Sequence, residues 1–167
     1  EGMAQGTGET SNEFIQRYVQ LAKGGVDMSV TGLMYVHPSG RGYEKQAGIH
    51  NDQMVEGLSR LTDAVHQEGG RIVFQLAHCG RQTTKHLAGQ TPLAPSSRGR
   101  DPLNFVKPKA MTDGQIEEMV SAFGAAAAAR ALPRVAGARL LAFQGGYARE
   151  RGGFTAPARR HSYAGAQ

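Results

Sequence analysis

The chain has no tryptophan, a single cysteine (Cys79), and aromatic residues at only 7% of its 167 positions. One cysteine cannot build an internal disulfide framework. It fits a reducing compartment, and a cytoplasmic location is expected. No apolar run approaches the roughly 18–20 residues needed to cross a bilayer, so no membrane partner is expected. The absence of a Gly-x-Gly-x-x-Gly fingerprint and of a Walker loop removes the Rossmann and P-loop readings. His37, His50 and His66 are scattered, and His78, Cys79 and His86 lack a zinc-ligand spacing. No metal site and no Ser-His-Asp set is read from them. The first residue is Glu1, not Met, and no signal-peptide pattern follows. The chain is expected to begin inside a longer gene product.

Lysine is missing from one region only. Residues 1–130 carry 13 Lys/Arg and 13 Asp/Glu, whereas residues 131–167 carry six Arg, no Lys and one acid, Glu150. The formal net charge of +5 therefore sits in the last 37 residues. A basic excess confined to a tail does not make the body a nucleic-acid binder. An Arg/Gly-tailed binder of anions or RNA is the rival reading from another class, and the lone Arg151-Gly152-Gly153 supports it weakly.

The body has a repeating order. Thr10-Ser11-Asn12-Glu13 predicts a capping box with Thr10 as N-cap, ahead of a helix facing inward with Phe14, Ile15, Tyr18, Leu21 and Ala22. Gly24-Gly25 stops it, and an apolar strand follows over residues 26–34. Asn51 or Asp52 opens a second helix with Met54, Val55, Leu58, Leu61 and Val65 on one face. Gly69-Gly70 ends it, and the strand Arg71–Leu76 follows. Helix, Gly-Gly stop and apolar strand, twice over, is the pattern of a parallel sheet covered by helices. Strand starts lie about 45 residues apart (Val26 to Arg71), and the surplus is in the loops that follow the strands. A long loop over residues 79–110 carries Pro92, Pro95, Pro102 and Pro108, and Thr112–Gln115 caps a third helix with Ile116, Met119, Val120 and Phe123.

After Arg130 the pattern breaks. A Val/Ile-rich strand should follow, but residues 135–143 are only weakly strand-like, with Arg139 interrupting them. The tail has the composition of an out-of-frame read of a GC-rich gene. Two regions are therefore expected: a barrel-like part over 1–130 and an Ala/Arg/Gly-rich tail over 131–167.

Two motifs carry a family resemblance. Residues 31–42 read Thr-Gly-x-x-Tyr-Val-x-Pro-x-Gly-Arg-Gly, and residues 75–81 read Gln-Leu-x-His-x-Gly-Arg. In both, an apolar run ends in polar side chains, as in an enzyme strand whose C-terminal end opens onto a site. Together they resemble the old yellow enzyme family, the FMN-dependent NADH:flavin oxidoreductases, over about residues 1–130. The resemblance implies an α/β fold, part of a TIM-type (β/α)8 barrel with about strands two and three and helices one to three. It implies FMN as cofactor, NAD(P)H as electron donor and an activated alkene or similar small molecule as acceptor. It also implies that the Gln75 amide, which offers donor and acceptor together, contacts the isoalloxazine. Thr31, Gly32 and Leu33, expected at a strand end, would pack beside the flavin through backbone.

The departures matter too. The family's first strand should precede Glu1. Its His-x-x-His-Gly-Tyr-like segment, which holds substrate and donates a proton, has at most Gln144-Gly145-Gly146-Tyr147 as its counterpart, with both histidines missing. No catalytic residue is assigned. A full barrel needs about 250 residues, so the chain is expected to be an incomplete and inactive fragment, or a non-catalytic one, prone to self-association through uncovered strand edges.

Overall fold

Helix α1 runs Asn12–Lys23 and packs Phe14, Ile15, Tyr18, Val19 and Ala22 inward. Its cap is Ser11, not Thr10: the Ser11 hydroxyl accepts from the Phe14 N–H at 3.0 Å. The helix starts one residue later than the Thr10 reading requires, and Thr10 is instead buried against Gly57. The apolar stripe is centred nearer Val19 than the sequence reading placed it, which leaves Leu21 at its exposed rim. The computed structural model describes residues 2–96, 99–129 and the backbone of 139–143.

The Gly-Gly stops work as the sequence predicts. Gly25 and Gly69 take left-handed backbone (φ 87° and 77°), which reverses the chain out of α1 and α2. Strand β1 is Met28–Tyr35, α2 is Gln53–Gln67 and β2 is Arg71–Ala77. Helix α2 buries Met54, Leu58, Leu61 and Val65 as expected, and also Gly57, Ser59 and Thr62. The long loop holds a one-turn helix α3 (Lys85–Ala88) and a short parallel pair, β3 (Leu93–Ala94) with β4 (Lys109–Ala110). Helix α4 spans Asp113–Ala129, with Thr112 and Gln115 exchanging capping hydrogen bonds. Met119 is buried beside Leu93 and Met111, whereas Val120, expected on the inner face, is exposed.

A third parallel strand, β5 (Arg139–Phe143), pairs with β2, giving the order β1-β2-β5. This corrects the reading of Arg139 as an interruption: it is the strand's first residue. Backbone pairing along the edge of β2 can outweigh poor intrinsic strand propensity. The other residues of the expected tail, 131–138 and 144–167, lie outside the described residues, as does Gln144–Tyr147.

One core serves the helices. Phe14, Tyr18, Leu58, Leu61, Ile72, Phe74, Leu76 and Ala126 belong to a single buried cluster. Alternate residues of β2 thus face α1, α2 and α4, while Val73 and Gln75 point the other way. Helices on one face of a parallel sheet, with strands neighbouring in sequence order, make a segment of a barrel wall. A doubly wound sheet would carry helices on both faces. Among the described residues no helix is long and apolar enough to cross a membrane.

Candidate cofactor site

Thr31, Gly32 and Leu33 do not end β1, as the sequence reading had it. They sit in its middle, at a bulge. Val30 faces Val73 and Leu33 faces Gln75, so two residues, Thr31 and Gly32, oppose Phe74 alone. Without the extra residue, positions 30 and 33 would lie on opposite faces; the bulge returns both, with Gln75, to the face that carries no helix among the described residues, the helix-free face.

Four side chains reach this bulge, one of them Tyr43, whose hydroxyl donates to the Leu33 carbonyl at 3.5 Å. The Thr31 hydroxyl accepts from the Gln75 backbone N–H at 3.0 Å, doing the work of a ladder carbonyl. The Tyr18 hydroxyl, reaching in from α1, accepts from the Gly32 N–H at 3.2 Å. The Gln46 side chain donates to the Leu33 carbonyl at 3.0 Å and accepts from the Gly42 N–H at 2.7 Å. Buried backbone groups need partners, and a bulge denies them ladder partners, so these bonds hold the irregular backbone in place. All four predicted residues therefore meet at one spot. Thr31 is buried, Gly32, Leu33 and Gln75 are half-buried, and no described residue hydrogen-bonds the Gln75 side-chain amide.

Tyr18 and Gln46 were not read as site residues. A phenol inside an apolar helical stripe signals that its hydroxyl has a partner, but nothing in the loop sequence marks Gln46.

Beyond the C-terminal ends of the strands, the loops are locked together. His78 is buried; its Nδ1 accepts from the Gly80 N–H at 3.0 Å, so its proton sits on Nε2, 3.1 Å from Ser39 Oγ. Ser39 Oγ lies 2.8 Å from His37 Nδ1, and His37 Nε2 lies 3.4 Å from Glu118 of α4. Burial, with a smaller push from His37, lowers the His78 pKa to about 4, so the ring is a neutral strut. Burial raises the Cys79 thiol, against a weaker opposing effect of its hydrogen bond with Gln46, which removes it as a ready nucleophile. Arg41 pairs with Glu44 at 3.6 Å. Among the described residues no cluster could hold a metal ion.

A family model described as "NADH:flavin oxidoreductase / NADH oxidase family" matches residues 2–140, past the expected break at Arg130. The chain belongs to this family. It is 34% identical over 125 residues to an NADH oxidase of Thermoanaerobacter brockii, a match covering 72% of this chain and 19% of that protein. It is 35% identical over 121 residues to an NADPH dehydrogenase of Clostridium acetobutylicum, covering 72% and 35%. Among solved structures, a 2-naphthoyl-CoA reductase complex superposes with a TM-score of 0.76 at 25% identity, covering 84% of this chain and 23% of that one. The old yellow enzyme homologue of Zymomonas mobilis gives 0.72 at 22% identity, covering 83% and 41%, and shows the shared barrel fold. The chain spans less than half the length of each of these relatives.

The residues fit one edge of a flavin. A half-buried amide that no described residue hydrogen-bonds offers donor and acceptor together, and a peptide of the bulged strand lies at the same level on the face that no described helix covers.

Proposed function

We propose that this chain is the flavin-edge portion of an FMN-dependent NAD(P)H oxidoreductase of the ene-reductase type. The observation that carries it is the Gln75 amide, level with Leu33 across the bulge, on the face away from the described helices and hydrogen-bonded by none of the described residues. In this reading Gln75 contacts the isoalloxazine through its side chain, and Thr31, Gly32 and Leu33 do so through backbone. When bound, FMN supplies the redox chemistry, accepting hydride from NAD(P)H and delivering it to an activated alkene or similar acceptor. The chain's own part is to orient the flavin, with the strand bulge setting the height of Leu33 against Gln75 and the helix-packed face keeping water from behind the sheet. The accompanying proton is assigned to no residue of this chain.

Taken alone, the 167-residue chain is proposed to be an incomplete, inactive piece in the cytoplasm. Short coverage of its relatives supports the first part, and the lone thiol the second. Exposure of Met28 and Val30 on the helix-free face supports self-association. The test is visible absorbance of the purified chain during FMN titration, followed by NADH and NADPH oxidation. The expected outcome is a perturbed flavin band without turnover. A flavin spectrum unchanged at millimolar FMN would sink the cofactor assignment, and turnover would sink the incompleteness.

A further inference from the structure

Gln46 lies in the loop after β1 and is fully buried (0% exposed). A buried amide is costly unless its groups are satisfied. Here the side chain makes two hydrogen bonds, donating to the Leu33 carbonyl in the β1 bulge at 3.0 Å and accepting from the Gly42 N–H of the loop turn at 2.7 Å. The turn at Gly42 is itself held close to the loop after β2: a Cβ there would stand 2.4 Å from Cys79 Sγ. The carbonyl it grips belongs to Leu33, the residue registered opposite Gln75.

We propose that Gln46 is a positioning residue for the cofactor edge: it fixes the Leu33 peptide against Gln75, and so sets the surface that a flavin edge meets. This rests on the flavin reading above. Gln46 itself faces Leu33, Gly42 and Cys79 and acts through the bulge without touching the ligand. Removing the Gln46 donor leaves the Leu33 carbonyl with only the longer 3.5 Å bond from the Tyr43 hydroxyl, so the peptide can rotate and the spacing across the bulge follows it.

The test uses the full chain, isotope-labelled, with FMN as the probe. Gln46→Met keeps length and apolar volume but loses both hydrogen bonds. The expected result is FMN affinity weakened about tenfold, the loss of a buried hydrogen bond. The amide resonances of Gly32, Leu33 and Gln75 should shift while those of α2 stay in place. Unmoved bulge amides, or unchanged FMN affinity, would overturn the proposal. Should Gln46→Met not fold, Gln46→Glu decides the matter. Its protonated carboxyl can donate to the Leu33 carbonyl and accept from Gly42, whereas its ionised form cannot donate. Bulge amide positions that return toward wild type as the pH falls support the clamp, and pH-independent ones refute it. Wild-type chain that takes up no FMN would defeat the proposed function separately, and the amide shifts alone would then show whether Gln46 sets the bulge.

Discussion

The two faces of the sheet obey different rules. On the helix side, Ile72 and Phe74 are completely buried and Leu76 nearly so, in a cluster shared with α1, α2 and α4. On the other side, Met28 and Val30 stay 53% and 46% exposed, although they belong to the same strand as fully buried Met34. A strand buried on both faces is the rule for parallel sheets. The difference teaches that, among the described residues, the helix side is closed along the strands while the other side is open at its Met28–Val30 end, although Val73 there is buried, and that Gln75 points to this more open side.

The largest expected effect follows from the closed helix side. Phe74→Ala should cost about 3–5 kcal/mol, the usual range for emptying an aromatic site in a packed core. Urea unfolding followed by circular dichroism measures it. A loss under about 1 kcal/mol would mean that the helix side is loosely packed and the contrast between faces is false.

Second in size is a pH effect at the rim where the strand ends meet their loops. The His78 pKa is about 4 in the fold against 6.5 for a free imidazole, because burial disfavours the charged ring. Between those values the unfolded chain binds the extra proton and the folded one does not. The neutral ring's contribution is thus complete above about pH 6.5 and is lost as the pH falls toward 4. His50, also lowered by burial, adds to the same trend. Urea midpoints measured across this window should slope downward with acid, and His78→Gln should flatten most of the slope. An unchanged slope would place the titration elsewhere.

The parallel strands, their helices and the meeting of residue 75 with residues 31–33 were legible because Gly-Gly stops and apolar periodicity are local signals. The bulge was not. Period-two alternation breaks at Thr31-Gly32, and in a sequence a break in alternation looks the same as a strand's end. The cap shifted from Thr10 to Ser11 because two adjacent hydroxyl residues offer the same chemistry, and packing against Gly57 chose between them. Strand β5 was underestimated because its partner, β2, lies more than sixty positions earlier, and pairing leaves no mark on composition. Gln46 was invisible because its partners, the Gly42 N–H and the Leu33 carbonyl, are backbone groups, which no residue type in the sequence marks.

Smaller, and aimed at the link between the faces, is Tyr18→Phe. Tyr18 belongs to the helix side, yet its hydroxyl accepts from the Gly32 N–H that shapes the other side. Removing one oxygen leaves that N–H without this acceptor, at a cost of about 1–3 kcal/mol. Thr31→Val should do the same to the Gln75 N–H. Thermal or urea unfolding gives the magnitude, and hydrogen exchange at Gly32 and Gln75 gives the place. Exchange faster at those two amides than across α2 is the expected pattern; uniform acceleration would make the loss a general one.

The smallest stability effect should come from the more open side, where it is most informative. Val30→Lys places a charge among exposed groups, so the fold should change by less than about 0.5 kcal/mol. Association is another matter. If copies of the chain cover one another through Met28 and Val30, a charge there must be desolvated in every contact, which disfavours the pairing. Sedimentation velocity across a concentration series should then show wild type sedimenting faster with concentration, and Val30→Lys holding the monomer value. A variant as associated as wild type would move the contact to the outer edge of β1 ahead of Tyr35, which pairs with no described strand and where backbone groups pair regardless of side chain.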